Sequence, residues 1–400
     1  MIELIPPPNF SDIQKQALFD YRLGRIREEM LRQGVFLCIL NNPVSLRYAI
    51  NFDEYQLFQS HIAACYLFVP IEGPLLMFGA GQHSFPNVME YRRPDFLSPF
   101  DGGFDLQSNC DKFLQTIISF VREHQLADKG SKVGVERFTT LVSQGLRDNK
   151  FQVVDAECIM EKAKLIKSPM EIECLKYSIA VAEYGIDLMR QQLQPGMTEN
   201  QLWAILHQVN ISHGGDWIEG HMLASGSRTN PWFQEASARI IEQGDMVALD
   251  TDMIGPNGFM ADISRSWICG GGKGNQQQRD AYQHAFDEIH YNMDLVKPGI
   301  SFKELSDSAF NRKSRYRAHR YPCCFHGVGY SDEYPKIYYP EDWEQHGYDG
   351  LIEENMVLCV ESYSGVVGEK EGVKLEDMIQ VTRAGYSKLS TYTFEKTLLG

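Results

Sequence analysis

The stretch GDMVALDTDMIGPNGFMADISRSW, residues 244–267, constrains this chain more than any other feature. Its apolar residues read as strands, and Asp250 and Asp252, two apart, are expected on one strand face. The turn Gly255-Pro256-Asn257-Gly258 then returns the chain to Asp262, so the expected unit is a hairpin with three converging carboxylates. Like charges so placed repel, and removing each from water costs roughly several kcal/mol unless a cation neutralises it. A divalent metal is the expected partner.

Three later segments extend the pattern. FHGVGY places His326 before Gly327 and Gly329, MVLCVES places Glu361 inside an apolar strand, and VKLEDMIQV does the same for Glu376. A single Asp or Glu on a strand is ordinarily a solvated residue or an ion-pair partner. The joint pattern of five carboxylates and one imidazole is what points to a metal centre. Oxygen-rich ligation with one imidazole suits iron, manganese, zinc or cobalt, as one ion or as two bridged by carboxylates.

The rest of the chain sets limits on partners. A formal net charge of -15 argues against nucleic acid and against an anionic membrane surface. No apolar run approaches the ~18 residues that span a bilayer, and the N-terminus lacks the pattern of a secretory signal, so a cytoplasmic enzyme is expected. The nine cysteines are odd in number and lack a disulfide-scaffold spacing, so reduced thiols are expected.

Apolar spacing predicts a helix over 11–34, strands in GVFLCIL and AACYLFVPIEGPLLMFG, a helix over CDKFLQTIISFVREHQ and a strand in KVGVERF. These make a small α/β domain over residues 1–160. Beyond Ser168-Pro169, helices are expected over 169–193, 198–213 and 276–296, with strands near 220–225 and 246–254 and a strand-rich end. The second domain is placed at 161–400.

In the order and setting of these acids and His326, the chain resembles the pita-bread metallopeptidase family, which includes methionine aminopeptidase, aminopeptidase P, prolidase and creatinase. The resemblance covers about 164–400, with an N-terminal domain like that of prolidase and creatinase. It implies an α/β (α+β) chain with a pita-bread catalytic domain, a homodimer, and metal ligands at Asp250, Asp262, His326, Glu361 and Glu376. Peptidases of the family use two further histidines. Here those positions fall on Phe233 and Glu333, which removes donors that amide hydrolysis needs where oxyanion charge develops.

A narrower branch carries the same departures. The chain resembles the dimethylsulfoniopropionate lyases of this fold in GGDWIEGHMLASGSRTNPWFQE, DTDMIG, ADISRSW, HGVGYSDEYP, MVLCVE and VKLED. That likeness implies ligands at Asp250, Asp252, Asp262, His326, Glu361 and Glu376, one or two ions with iron first and zinc, manganese, nickel or cobalt as alternatives. It implies a catalytic base at Asp332 and a substrate-site tyrosine at Tyr321. The implied reaction is a β-elimination on a small zwitterionic carboxylate, in which partial burial would suit Asp332 as a base by raising its pKa. A sulfonium head calls for aromatic faces, for which Tyr321, Trp217, Trp232, Tyr55 and Phe58 are candidates. His61 is shared with the lyases in the segment YQLFQSHIAACYLF, whereas Ile62-Ala63-Ala64-Cys65 replaces their Asn-Pro-Phe-Arg. Arg228 and Arg265 read as supports for carboxylates. The competing reading is a hydrolase of a small amide or Xaa-Pro dipeptide, like prolidase, creatinase or ectoine hydrolase, with His221 as its extra histidine. A non-catalytic binding module is disfavoured because every ligand position is filled.

Overall fold

The computed structural model describes residues 4–399 except 80–87, 89, 93–96 and 98–101. The chain forms two compact units, Phe10–Lys164 and Leu165–Gly400, the second taking in the N-terminal segment up to Asn9.

The first unit opens with α1 (Asp12–Gln33). Ser11 and Gln14 form a reciprocal cap at its start, and Gly34, with φ 68°, supplies the left-handed residue that ends it. The apolar run that follows becomes β1 (Val35–Leu40), buried throughout. After α2 (Pro43–Ile50) and α3 (Gln56–His61) come β2 (Tyr66–Pro70), β3 (Leu76–Phe78), β4 (Glu90–Arg92) and α4 (Leu106–Glu123). The unit closes with β5 (Lys132–Val135), α5 (Thr140–Asp148), β6 (Gln152–Asp155) and α6 (Glu157–Lys164). The sheet runs β4-β3-β2-β1-β5-β6, and its core includes Phe36, Phe68, Phe113, Ile117 and Phe120.

The second unit begins with α7 (Pro169–Gln192), started by a capping box between Ser168 and Glu171 with Pro169 in the first turn, and α8 (Glu199–Ser212), started by Thr198 and Gln201. Strands β7 (Leu223–Ser225), β8 (Met246–Asp250), β9 (Met253–Ile254), β10 (Met260–Ala261) and β11 (Ser264–Ile268) follow, then α9 (Gln276–Leu295) and α10 (Phe302–Ser308). The end of the chain contributes β12 (Phe325–Val328), β13 (Asp332–Ile337), α11 (Pro340–His346), β14 (Val357–Ser364), β15 (Val373–Thr382) and β16 (Gly385–Lys388). Besides the two-stranded β10-β9 pair, two larger sheets result, ordered β11-β8-β7 and β13-β12-β14-β15-β16. They meet through β11 and β15, while α9 covers β14 and β15 over a core that includes Tyr282, Ile289, Phe325, Leu358 and Leu375.

One expectation needs correction. Asp252 does not share a strand with Asp250: β8 stops at Asp250, and Asp252 has φ 41°, in the left-handed region. The hairpin is two short ladders, β8 with β11 and β9 with β10, separated by a break at 251–252 on one side and 262–263 on the other. Thr251 holds the break together. Its hydroxyl donates to the Ala261 carbonyl at 2.7 Å and accepts the Ile263 N–H at 2.9 Å. A period-two pattern cannot register such a break, because the apolar alternation resumes on its far side.

Candidate metal centre

The broken hairpin and the five-stranded sheet bring the expected ligands together. Asp250, Asp252 and Asp262 each offer an oxygen within 4.8 Å of the others. On the facing sheet, Glu361 of β14 is the cross-strand partner of Glu376 of β15. His326 of β12 lies beside β14, with its Nε2 3.1 Å from Glu361 Oε1, 3.5 Å from Asp262 Oδ2 and 3.6 Å from Glu376 Oε1. Asp250, Asp262, His326, Glu361 and Glu376 are all buried, and Asp252 is half-buried.

Lys374, which sequence reasoning passed over, sits among these acids. Its Nζ is 3.0 Å from Asp250 Oδ2, 2.6 Å from Glu361 Oε2 and 2.9 Å from Glu376 Oε2, and the side chain is sealed from solvent. The available signal was its spacing two residues before Glu376, which puts both on one strand face. Cys359 was missed in the same way. It stands two residues before Glu361, with its Sγ 3.5 Å from Asp262 Oδ2.

One ammonium cannot balance five carboxylates. Burial first, and then the neighbouring acids, push Asp252 and Asp262 well above the usual carboxylate range; burial first, partly relieved by Lys374, raises Asp250 and Glu361. Burial also opposes the charge on Glu376, but Lys374 and His326 prevail and hold it well below. Three buried oxygens, Asp250 Oδ1, Asp262 Oδ1 and Glu376 Oε1, have no hydrogen-bond partner. Orphaned carboxylate oxygens in a buried site short of positive charge fit a divalent cation.

The surroundings support the ligands. Arg265, wholly buried, donates to the Glu376 carbonyl at 2.6 Å and pairs with Asp377 at 2.7 Å. Ser264 Oγ donates to Glu376 Oε2 at 2.9 Å. Arg228 serves Glu199 and the Glu235 carbonyl instead.

The remaining candidates divide. Asp332 opens β13 with its Oδ1 3.5 Å from His326 Nδ1, the imidazole nitrogen on the side away from Glu361. The expected partial burial is not found, because its side chain is 67% exposed in the single chain. Glu333, next to it, points the opposite way. Its side chain is buried, pairs with Lys167 at 2.9 Å and accepts the Tyr330 N–H at 2.9 Å. Tyr321 is half-buried, with Lys374 Nζ 4.5 Å from its ring centre and Phe233 stacked on it at 5.5 Å. Tyr321 also lines a cavity of about 440 Å³ with Arg320, Lys336, Tyr338, Asp342 and His346.

Trp217 hydrogen-bonds Glu219, whose N–H donates to the Asp252 carbonyl at 3.0 Å. Trp232 is buried in a small cluster with Ala248 and Tyr363, against which Tyr321 packs, so it backs the wall and does not face solvent. His221 has its ring against Trp203 and His207. Tyr55, Phe58 and His61 belong to the first unit, at the start of and along α3, and all three are exposed.

Comparison with known proteins finds relatives over most of the chain. The model of metallopeptidase family M24 matches residues 173–383. A protein named dimethylsulfoniopropionate lyase DddP from Roseovarius nubinhibens is 33% identical over 395 residues, covering 96% of this chain and 88% of that protein. Its namesake from Roseobacter denitrificans is 32% identical with the same coverage. Among solved structures, the Xaa-Pro dipeptidase of Bacillus anthracis superposes with a TM-score of 0.75 at 20% identity, over 94% of this chain and 99% of that one. The last likeness shows the pita-bread fold.

Proposed function

The chain belongs to metallopeptidase family M24, and we propose that it turns the metal centre of that family to β-elimination, cleaving dimethylsulfoniopropionate into dimethyl sulfide and acrylate. The carrying observation is the division of labour between two adjacent residues. Glu333, where the peptidases have their second histidine, is turned inward onto Lys167, whereas Asp332 beside it faces His326 and solvent. A peptide's tetrahedral oxyanion finds no donor at that position, while a carboxylate base stands at the rim of the centre.

Asp250, Asp252, Asp262, His326, Glu361 and Glu376 would hold the metal, with iron the first choice. When bound, the metal supplies a Lewis acid for the charge that develops on the substrate's carboxylate. Asp332 takes the proton from the carbon next to that carboxylate. The released electron pair forms the carbon–carbon double bond as the carbon–sulfur bond breaks, and dimethyl sulfide departs neutral without help from an acid. Phe233, exposed and stacked on Tyr321 at 5.5 Å, extends that tyrosine's aromatic surface and offers the sulfonium a wall. The adjoining cavity of about 440 Å³ has room for a small zwitterion. Tyr55, Leu57 and Phe58, exposed by 71, 52 and 47%, form the face offered to a second copy in a homodimer.

The test is incubation of iron-loaded protein with dimethylsulfoniopropionate, dimethyl sulfide being followed by gas chromatography. Release that needs metal and falls by ~10²–10⁴ in Asp332→Ala at unchanged metal content supports the reading. Metal-loaded protein that releases no sulfide but cleaves Xaa-Pro dipeptides would replace it with the hydrolase reading.

A further inference from the structure

Cys359 has no part in the reaction above, yet it faces the same centre. It shares a strand face with Glu361, and its cross-strand neighbours are His326 on one side and Met378 on the other. It is completely buried. One donor atom from each of Asp262, His326, Cys359 and Glu376 lies within 4.8 Å of the rest.

The spacing is informative. Sγ of Cys359 is 3.5 Å from Asp262 Oδ2, His326 Nε2 is 3.5 Å from the same oxygen, and His326 Nε2 is 3.6 Å from Glu376 Oε1. Two donors bound to one ion at about 2.0–2.3 Å with a near-tetrahedral angle stand about 3.3–3.8 Å apart. A second observation points to a missing ligand: Asp262 Oδ1 and Glu376 Oε1 are buried without a hydrogen-bond partner.

We propose that Cys359 is itself a metal ligand, supplying a thiolate beside Asp262, His326 and Glu376. This rests on the reading that the chain binds a divalent metal, and adds a sulfur donor to the ligands assigned above. On binding, the S–H bond gives its proton to solvent and the sulfur lone pair is donated to the ion, with no change of oxidation state. One soft donor in an otherwise hard site biases it toward iron, cobalt or zinc and away from magnesium.

The full-length protein loaded with cobalt(II), with bound cobalt measured by elemental analysis, decides the matter. A sulfur-to-cobalt charge-transfer band in the near ultraviolet is expected, together with its loss in Cys359→Ser at equal cobalt content. Zinc affinity should fall at least about tenfold in the same variant. X-ray absorption on the zinc-loaded wild type needs no variant and should show a sulfur scatterer at about 2.3 Å. Bound metal with only nitrogen and oxygen scatterers overturns the assignment of Cys359. Failure to bind any metal overturns instead the metal-centre reading on which it rests.

Discussion

The ammonium of Lys374 stands 2.6 Å from the Glu361 carboxylate, and neither side chain reaches solvent. The same ammonium lies 3.0 Å from Asp250 and 2.9 Å from Glu376, so it offsets part of the repulsion among these acids when no metal is bound.

Lys374→Met therefore makes folding depend on metal. In chelator, the variant is expected to lose about 3–5 kcal/mol of unfolding free energy by urea titration. A saturating divalent metal should restore most of it, since a ligand bound only by the folded state stabilises by mass action. An equal loss with and without metal would show that Lys374 does not compensate the ligands.

Thr251→Val breaks the seam of the hairpin while keeping the side chain's volume. The Ile263 N–H and the Ala261 carbonyl lose their shared partner, for a cost of about 1–3 kcal/mol. Because the flanking residues carry Asp252 and Asp262, metal affinity should drop about 10–100-fold, read by competition with a chromophoric chelator. A destabilised variant of unchanged affinity would place the role of Thr251 in folding alone.

The buried pair of Lys167 and Glu333 should show strong non-additivity. Either single change, Lys167→Met or Glu333→Met, leaves one charge buried and is expected to cost about 3–5 kcal/mol, whereas the double variant recovers much of that loss. Chemical denaturation of the four proteins completes the cycle. Simple additivity would mean that the two charges do not sense each other.

Acid should weaken the second unit through His284. Burial first, and then the charges of Arg312, Lys313 and Arg315, push this imidazole down to about 3, from an unfolded value of ~6.5. Its ring bonds Ser364 Oγ at 2.8 Å and accepts the Lys313 N–H at 3.2 Å, an arrangement that needs it neutral. The folded state thus binds fewer protons than the unfolded one. Stability is fully present above about pH 6.5 and declines as pH falls below it, by at most roughly 1.4 kcal/mol per unit. His284→Gln should flatten that stretch of the stability–pH curve. A curve of unchanged slope would remove His284 as its source.

The helices were legible from apolar spacing, with Ser168-Pro169 marking one start, and the structure adds the caps that fix where they begin. Ser11 with Gln14, Ser168 with Glu171, Thr198 with Gln201 and Asn275 with Gln278 form reciprocal caps at these starts. The acids and His326 were legible because a carboxylate inside an apolar strand is conspicuous. Lys374 and Cys359 were not, since a lysine two residues from a glutamate reads as a solvated pair and a strand cysteine reads as an ordinary small core residue. The break at Thr251 was hidden because a single φ of 41° at Asp252 leaves no mark in hydrophobic spacing. The exposure of Asp332 was equally out of reach, as burial at a strand's first residue is decided by distant chain.

The donors are split between two sheets, and that division governs the order in which the molecule can be made. The hairpin of β8 to β11 carries Asp250, Asp252 and Asp262, while the sheet of β12, β14 and β15 carries His326, Glu361 and Glu376. Neither half carries all six donors on its own. The centre closes only when a segment near residue 250 meets one near residue 376, a loop closure spanning much of the second unit. An ion held by all six donors therefore ties the two sheets to each other, and its full coordination reports that they have docked.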